Sequence, residues 1–170
     1  MEEEALKATL AGSRAQWTIL RPPLVYGPGV RANFLRLLRA VGRGVPLALI
    51  DNRRSLIYVG NLVDTIKAAP EWGSADGNTW LMSDGEDLSI PELVRRVAQT
   101  LNRPARLIPV PVRLLRLAGA LSGKSAAVDR LVGSLQVDAT AIRAALDWTP
   151  PYTVDQGFTE TVRRFRVAPV

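Results

Sequence analysis

The chain has neither cysteine nor histidine in its 170 residues, which excludes thiol nucleophiles, imidazole bases, disulfides and the usual zinc sites. Any chemistry must come from carboxylates, tyrosines and arginines. The sixteen acidic residues form no spaced calcium-loop pattern, so no metal site is expected. Asp84, Glu86 and Asp87 crowd one short stretch, where a solvated turn is a plainer reading than paired acid/base catalysis. Basic residues number 22 and give a net charge of +6, nearly all of it arginine. They are scattered along the chain without interleaved aromatics, so nucleic acid is not the expected partner. A planar guanidinium can hold two phosphate oxygens at once, so a small phosphate-bearing ligand would need only one or two of them. No glycine-rich phosphate loop follows a strand and opens a helix. Gly27-Pro28-Gly29 does not replace one, because Pro28 lacks an amide donor.

Three clusters stand out. Arg21-Pro22-Pro23-Leu24-Val25-Tyr26-Gly27-Pro28-Gly29 is a stiff loop at the end of an apolar run, the place where ligands sit in open α/β sheets. Asp51-Asn52-Arg53-Arg54-Ser55 separates two strand-like runs, and alternation lets only one of Arg53 and Arg54 face a given pocket. Gln136-Val137-Asp138 precedes Leu146-Asp147-Trp148-Thr149-Pro150. On spacing alone, a rigid connector, a charged hairpin tip and a capped helix with an apolar stop account for the three.

The elements that must position these clusters alternate between helix and strand, so the expected class is α/β. Helices are expected over 2–11, 32–43, from a cap at Asn61 to 69, from the Ser89/Glu92 capping box to 101, from an Asp138 cap to 146, and from the Thr153/Gln156 pair to 166. Strands are expected over 17–20, 47–50, 56–59, 78–82 and 106–110, with Pro22-Pro23 closing the first. Residues 111–133 are apolar and basic with helical periodicity, broken near Ser122-Gly123. Hydrophobic residues make up 47% and charged residues 22%, which suits one compact globular unit. No apolar run approaches the ~18 residues of a membrane span. The acidic start Met1-Glu2-Glu3-Glu4 is unlike a secretory or transit signal, so a cytoplasmic location and no membrane partner are expected.

Taken in order, the motifs resemble the C-terminal half of extended short-chain dehydrogenase/reductases, the NAD-dependent epimerase/dehydratase family. They are Leu20-Arg21-Pro22 through Gly29, Arg54-Ser55-Leu56-Ile57-Tyr58-Val59-Gly60-Asn61-Leu62-Val63, Trp80-Leu81-Met82-Ser83-Asp84-Gly85-Glu86, and Asp138 with Leu146-Asp147-Trp148-Thr149-Pro150. The flavour is that of bacterial UDP-sugar 4-epimerases and 4-keto-reductases. The resemblance implies the C-terminal part of a Rossmann-like fold with a small α/β substrate lobe. Residues 1–30 and 55–85 would join the sheet, and 31–54 and 86–170 would form mainly the lobe. It implies a UDP-sugar as ligand, with Arg54 on the diphosphate, Asn33 on a phosphate, the main chain at Ala48 and Ile50 on the nucleobase, and Asp138 near the ribose. Pro23, Leu24 and Val25 match the segment beside the nicotinamide of NAD or NADP. Leu24 stands where many relatives carry Asn, and 46–53 is shorter than the matching family stretch.

The family's glycine-rich NAD loop and catalytic Tyr-x-x-x-Lys pair precede the matching region, and neither occurs in this sequence. Tyr26, Tyr58 and Tyr152 have no lysine four positions on. The expectation is therefore a sugar-nucleotide-binding half without catalysis of its own and without tightly held NAD. A cloned fragment is preferred over a truncated gene product or a descendant that kept only this half. A non-catalytic binding or protein-interaction module is the alternative, and a nucleic-acid binder ranks below it. Self-association through exposed apolar surface is also expected.

Overall fold

The computed structural model describes residues 2–11, 16–71 and 77–167. After α1 (Glu2–Leu10), β1 (Thr18–Arg21) pairs in parallel with β5 (Asn78–Leu81). Pro22-Pro23 interrupts the extended chain without ending it, since Leu24–Tyr26 resumes as β2 and pairs in parallel with β4 (Arg54–Tyr58). The stretch read as the flank of a loop is thus a strand. β3 (Leu47–Leu49) pairs in parallel with β7 (Leu107–Pro109) and not with β4, so the charged stretch between β3 and β4 is no hairpin tip. The short β6 (Asp87–Leu88), read as part of a turn, runs antiparallel to β4.

β4 divides the interior. Leu56 and Tyr58 join one apolar cluster with Tyr26, Phe34, Leu38, Val94, Val97 and Phe158. Ile57, pointing to the other face, joins Met82, Ile142, Leu146 and Trp148. A strand buried on both faces is written as a continuous apolar run, and Leu56-Ile57-Tyr58 is one.

The helices are α2 (Ala32–Gly42), α3 (Val59–Ala68), α4 (Ile90–Leu101), α5 (Val112–Leu121), α6 (Ser125–Val132), α7 (Thr140–Leu146) and α8 (Val154–Val167). None is long and apolar enough to cross a membrane. The break near Ser122-Gly123 separates α5 from α6 as periodicity indicated. α4 carries its capping box: the Ser89 hydroxyl accepts from the Glu92 amide at 3.2 Å, and the Ser89 amide donates to the Glu92 carboxylate at 2.7 Å. Ser89→Ala should remove about 1 kcal/mol of stability, a loss of roughly 2–4 °C in thermal midpoint. An unchanged midpoint by circular dichroism would count against the cap. Thr153 and Gln156 close the same reciprocal pair at the start of α8.

Two caps differ from expectation. α3 begins at Val59 with no side-chain cap, and Asn61 lies inside it, fully buried. Asp138 does accept the Thr140 amide at 2.8 Å, but the residue flanking α7 is Ala139.

Candidate functional site

The segment before β4 is held by a stretch of chain about eighty residues later. Asn52, buried among charged neighbours, donates its amide to the Leu131 carbonyl at 3.0 Å and accepts from the Ile90 amide at 3.1 Å. Arg53 and Ser55 then sandwich Leu135. The Leu135 amide donates to the Arg53 carbonyl and the Ser55 amide donates to the Leu135 carbonyl, both at 2.8 Å. This parallel bridge lays residues 134–137 along the start of β4. The Ser55 hydroxyl donates to Asp87 at 2.5 Å and accepts from the Val137 amide at 2.8 Å. The Gln136 amide donates to the other Asp87 oxygen at 2.7 Å.

Beside this ladder opens a cleft of about 460 Å³ lined by Gly85, Asp87, Gln136, Asp138, Thr140 and Arg143. Its walls carry carboxylates that accept hydrogen bonds, amide and guanidinium groups that donate, and the apolar Val137 and Ala139 beside them. Such a lining suits a hydroxyl-rich ligand. The Asp138 carboxyl is held below its ordinary value by the Thr140 side chain and amide, so it is ionised and an acceptor at neutral pH. Among the described residues no three carboxylates converge to hold a metal ion.

Arg54 and Arg53 diverge, as alternation requires. Arg53 donates to the Asp87 carbonyl at 3.2 Å and lies 3.8 Å from Glu92. The Arg54 guanidinium turns to the C-terminal end of α6, where it meets the carbonyls of Arg130, of Leu131 at 3.1 Å and of Gly133 at 3.0 Å. A cation at the negative end of a helix is favourably placed. Arg54 thus sits where α6 ends and Asp138 lies past the far end of the 134–137 segment, on the cleft wall, which Arg54 does not line. Asn33 lies exposed in the first turn of α2. Ala48 sits opposite Ile108 in the β3–β7 pair, and Ile50 buries its side chain just past β3. Neither Asn33 nor Ala48 shares a hydrogen bond or strand pairing with this ladder among the described residues.

Pro23, Leu24 and Val25 form and precede β2. Val25 packs against the second core, while Leu24 is exposed. The segment that the family resemblance sets beside the nicotinamide of NAD or NADP thus runs into the edge strand β2.

Asp84, read from the sequence as part of a solvated turn, is instead a half-buried hub beside the cleft. It accepts from the Tyr26 hydroxyl at 2.8 Å, the Tyr58 amide at 3.0 Å and the Asn61 amide at 2.7 Å. Asn61 also reaches both ends of the Tyr152 peptide, each at 2.9 Å. Burial, then the Asp84 charge, pushes the Tyr26 phenol far above its ordinary value. Burial, then Glu160, also raises Tyr58. Neither hydroxyl is poised to give up a proton, so these tyrosines serve packing and hydrogen bonding.

No family model matches the chain. It is 43% identical over 166 residues to a UDP-glucose 4-epimerase of Vibrio cholerae, a match that covers 96% of this chain and 51% of that protein. Its fold matches the UDP-glucose 4-epimerase of Thermotoga maritima solved with UDP-glucose, with a TM-score of 0.68 at 20% identity over 96% of this chain and 50% of that one. It also matches the Thermus thermophilus UDP-glucose 4-epimerase complex with NAD, with a TM-score of 0.71 at 21% identity over 98% and 52%. The chain spans about half the length of the curated relatives it matches.

Proposed function

We propose that the chain, which belongs to the extended short-chain dehydrogenase/reductase family of NAD-dependent epimerases/dehydratases as a C-terminal half of it, is the sugar-nucleotide-binding half of an NAD(P)-dependent UDP-sugar 4-epimerase or 4-keto-reductase. The observation that supports the reading is the polar cleft holding Asp87, Gln136 and Asp138, whose wall is built where residues 134–137 run along the start of β4. A guanidinium supplies the bidentate donor a diphosphate requires, and the cleft supplies acceptors for ribose or sugar hydroxyls. Asn33 and the main chain at Ala48 and Ile50 complete the proposed contacts to phosphate and base. NAD or NADP, when bound to a whole family member, supplies the redox chemistry. In this reading the chain brings residues 23–25 to it. The proposed setting is the cytoplasm, where nucleotide sugars are free.

The test is calorimetric titration of the purified chain with UDP, UDP-glucose and NAD, repeated on Arg54→Ala. UDP and UDP-glucose should bind and NAD should not. The substitution should weaken UDP binding at least tenfold, since a charge-assisted hydrogen bond contributes about 1.5–3 kcal/mol. No UDP binding, or equal binding by the variant, would overturn the assignment of Arg54.

A further inference from the structure

α5 packs on α6 through its small-residue face. A Cβ at Gly119 would lie 2.6 Å from the Val128 side chain, and the Gly123 and Lys124 amides close the turn onto the Ala120 and Gly119 carbonyls. At 100° per residue, Leu114, Leu117 and Leu121 fall on the side opposite Gly119. They are 53%, 57% and 83% exposed, and together they form one apolar stripe pointing away from the packed face. The cleft and Arg54 ladder leave this stripe unused.

The charge around the stripe selects its occupant. Residues 111–136 contain four cations, Arg113, Arg116, Lys124 and Arg130, against one carboxylate, Asp129, and all five are exposed. Among the described residues, Arg116 alone of the four has a carboxylate partner, Asp129 at 3.4 Å. Arg130, 200° on from Val128, points away from α5, which leaves Arg113 and Lys124 as the unpaired cations nearest the stripe; self-pairing of this face would set two uncompensated positive charges against two more, as like charges meet in an isologous contact. An apolar stripe flanked by uncompensated Arg and Lys matches the composition of helices that lie in the plane of an anionic bilayer interface. We propose that the α5–α6 hairpin docks on anionic membrane lipid, with Leu114, Leu117 and Leu121 entering the acyl boundary and Arg113 and Lys124 meeting lipid phosphates.

The experiment is flotation of the full chain with vesicles of equal parts phosphatidylglycerol and phosphatidylcholine, and with phosphatidylcholine alone. The chain should float with the anionic vesicles only, and less as salt rises. Leu117→Asp with Leu121→Asp should cut the bound fraction more than tenfold, with an unchanged circular dichroism spectrum because both positions are exposed. Arg113→Gln with Lys124→Gln, which leaves the apolar stripe untouched, should weaken binding about fivefold per cation. Failure to float with any vesicle would overturn the proposal. So would equal binding to neutral lipid, or binding indifferent to the leucine pair. If the leucine pair instead converts a sedimenting dimer to monomer while vesicles are ignored, the occupant is a second copy and the lipid assignment fails.

Discussion

Asp84→Ala is expected to destabilise the chain by about 3–5 kcal/mol. The substitution strands three donors at once: the Tyr26 hydroxyl, the Tyr58 amide and the Asn61 side chain. Each buried donor left without an acceptor costs about 1–3 kcal/mol. Two have partial relief, since the Tyr26 hydroxyl lies 3.3 Å from the Val154 carbonyl and Asn61 also donates to Tyr152, which keeps the sum below the simple total. For a chain of this size the loss corresponds to roughly 10 °C or more in thermal midpoint. A change under about 1 kcal/mol would mean that water replaces the carboxylate and that the hub is dispensable.

The same residue sets a pH signature. Burial raises the Asp84 carboxyl above its ordinary value of 3.8, against the opposing pull of Asn61, Tyr58, Tyr26 and Arg143. The folded chain therefore binds this proton more readily than the unfolded chain, so this residue's contribution to stability falls as pH rises between the two values. Measured against Asp84→Asn, which cannot titrate, the wild-type advantage should be largest below pH 3.8 and shrink as pH climbs through the folded value. An advantage that grew with pH would reverse the sign and show that the three donors outweigh burial.

Gly157→Ala should also destabilise, although intrinsic helix propensity favours alanine by about 1 kcal/mol. A Cβ there would lie 2.6 Å from the Tyr26 hydroxyl oxygen and 2.9 Å from ring atoms of both Tyr26 and Tyr58. Those rings cannot retreat: Tyr26 is wedged between Phe34 and Phe158, with ring centroids 5.6 and 5.0 Å away, and its hydroxyl is tied to Asp84. Overpacking of a filled core costs typically 1–3 kcal/mol and more where neighbours are fixed. The net expectation is a loss of about 2 kcal/mol, or roughly 4–8 °C. A stabilised variant in urea or thermal unfolding would show that α8 can shift away from the tyrosine pair.

The comparison of sequence with structure follows a physical divide. Features written locally were legible: the Ser89/Glu92 and Thr153/Gln156 boxes, the break at Ser122-Gly123, and the apolar run 56–58 that became the central strand. Order and spacing of motifs carried the family, because those motifs pack around β2 and β4. What escaped was set by partners remote in sequence. Asn61 satisfies every capping preference, yet Asp84 and Tyr152 draw its amide inside the helix. Asn52 reads as one more polar residue between arginines until Leu131 and Ile90 surround it. Arg54 was singled out by family likeness alone, and its hold on the carbonyls that end α6 has no signature in its neighbours. Pro22-Pro23 misled because proline forbids a ladder donor in its own position but leaves the chain free to extend again one residue later.

The bridge between Arg54 and Leu135 also dictates an order of events in time. β4 finds its parallel neighbour β2 from some thirty residues upstream, but the amide of Ser55 and the side chain of Asn52 wait for residues 131–135. Closing a loop of that length costs entropy before any contact repays it, and chains built on such distant pairings fold slowly. A ribosome releasing this chain would expose the start of β4 with its hydrogen bonds unmet until the α5–α6 hairpin had emerged. Residues 131–135 are therefore the clasp that lets the start of β4 finish folding.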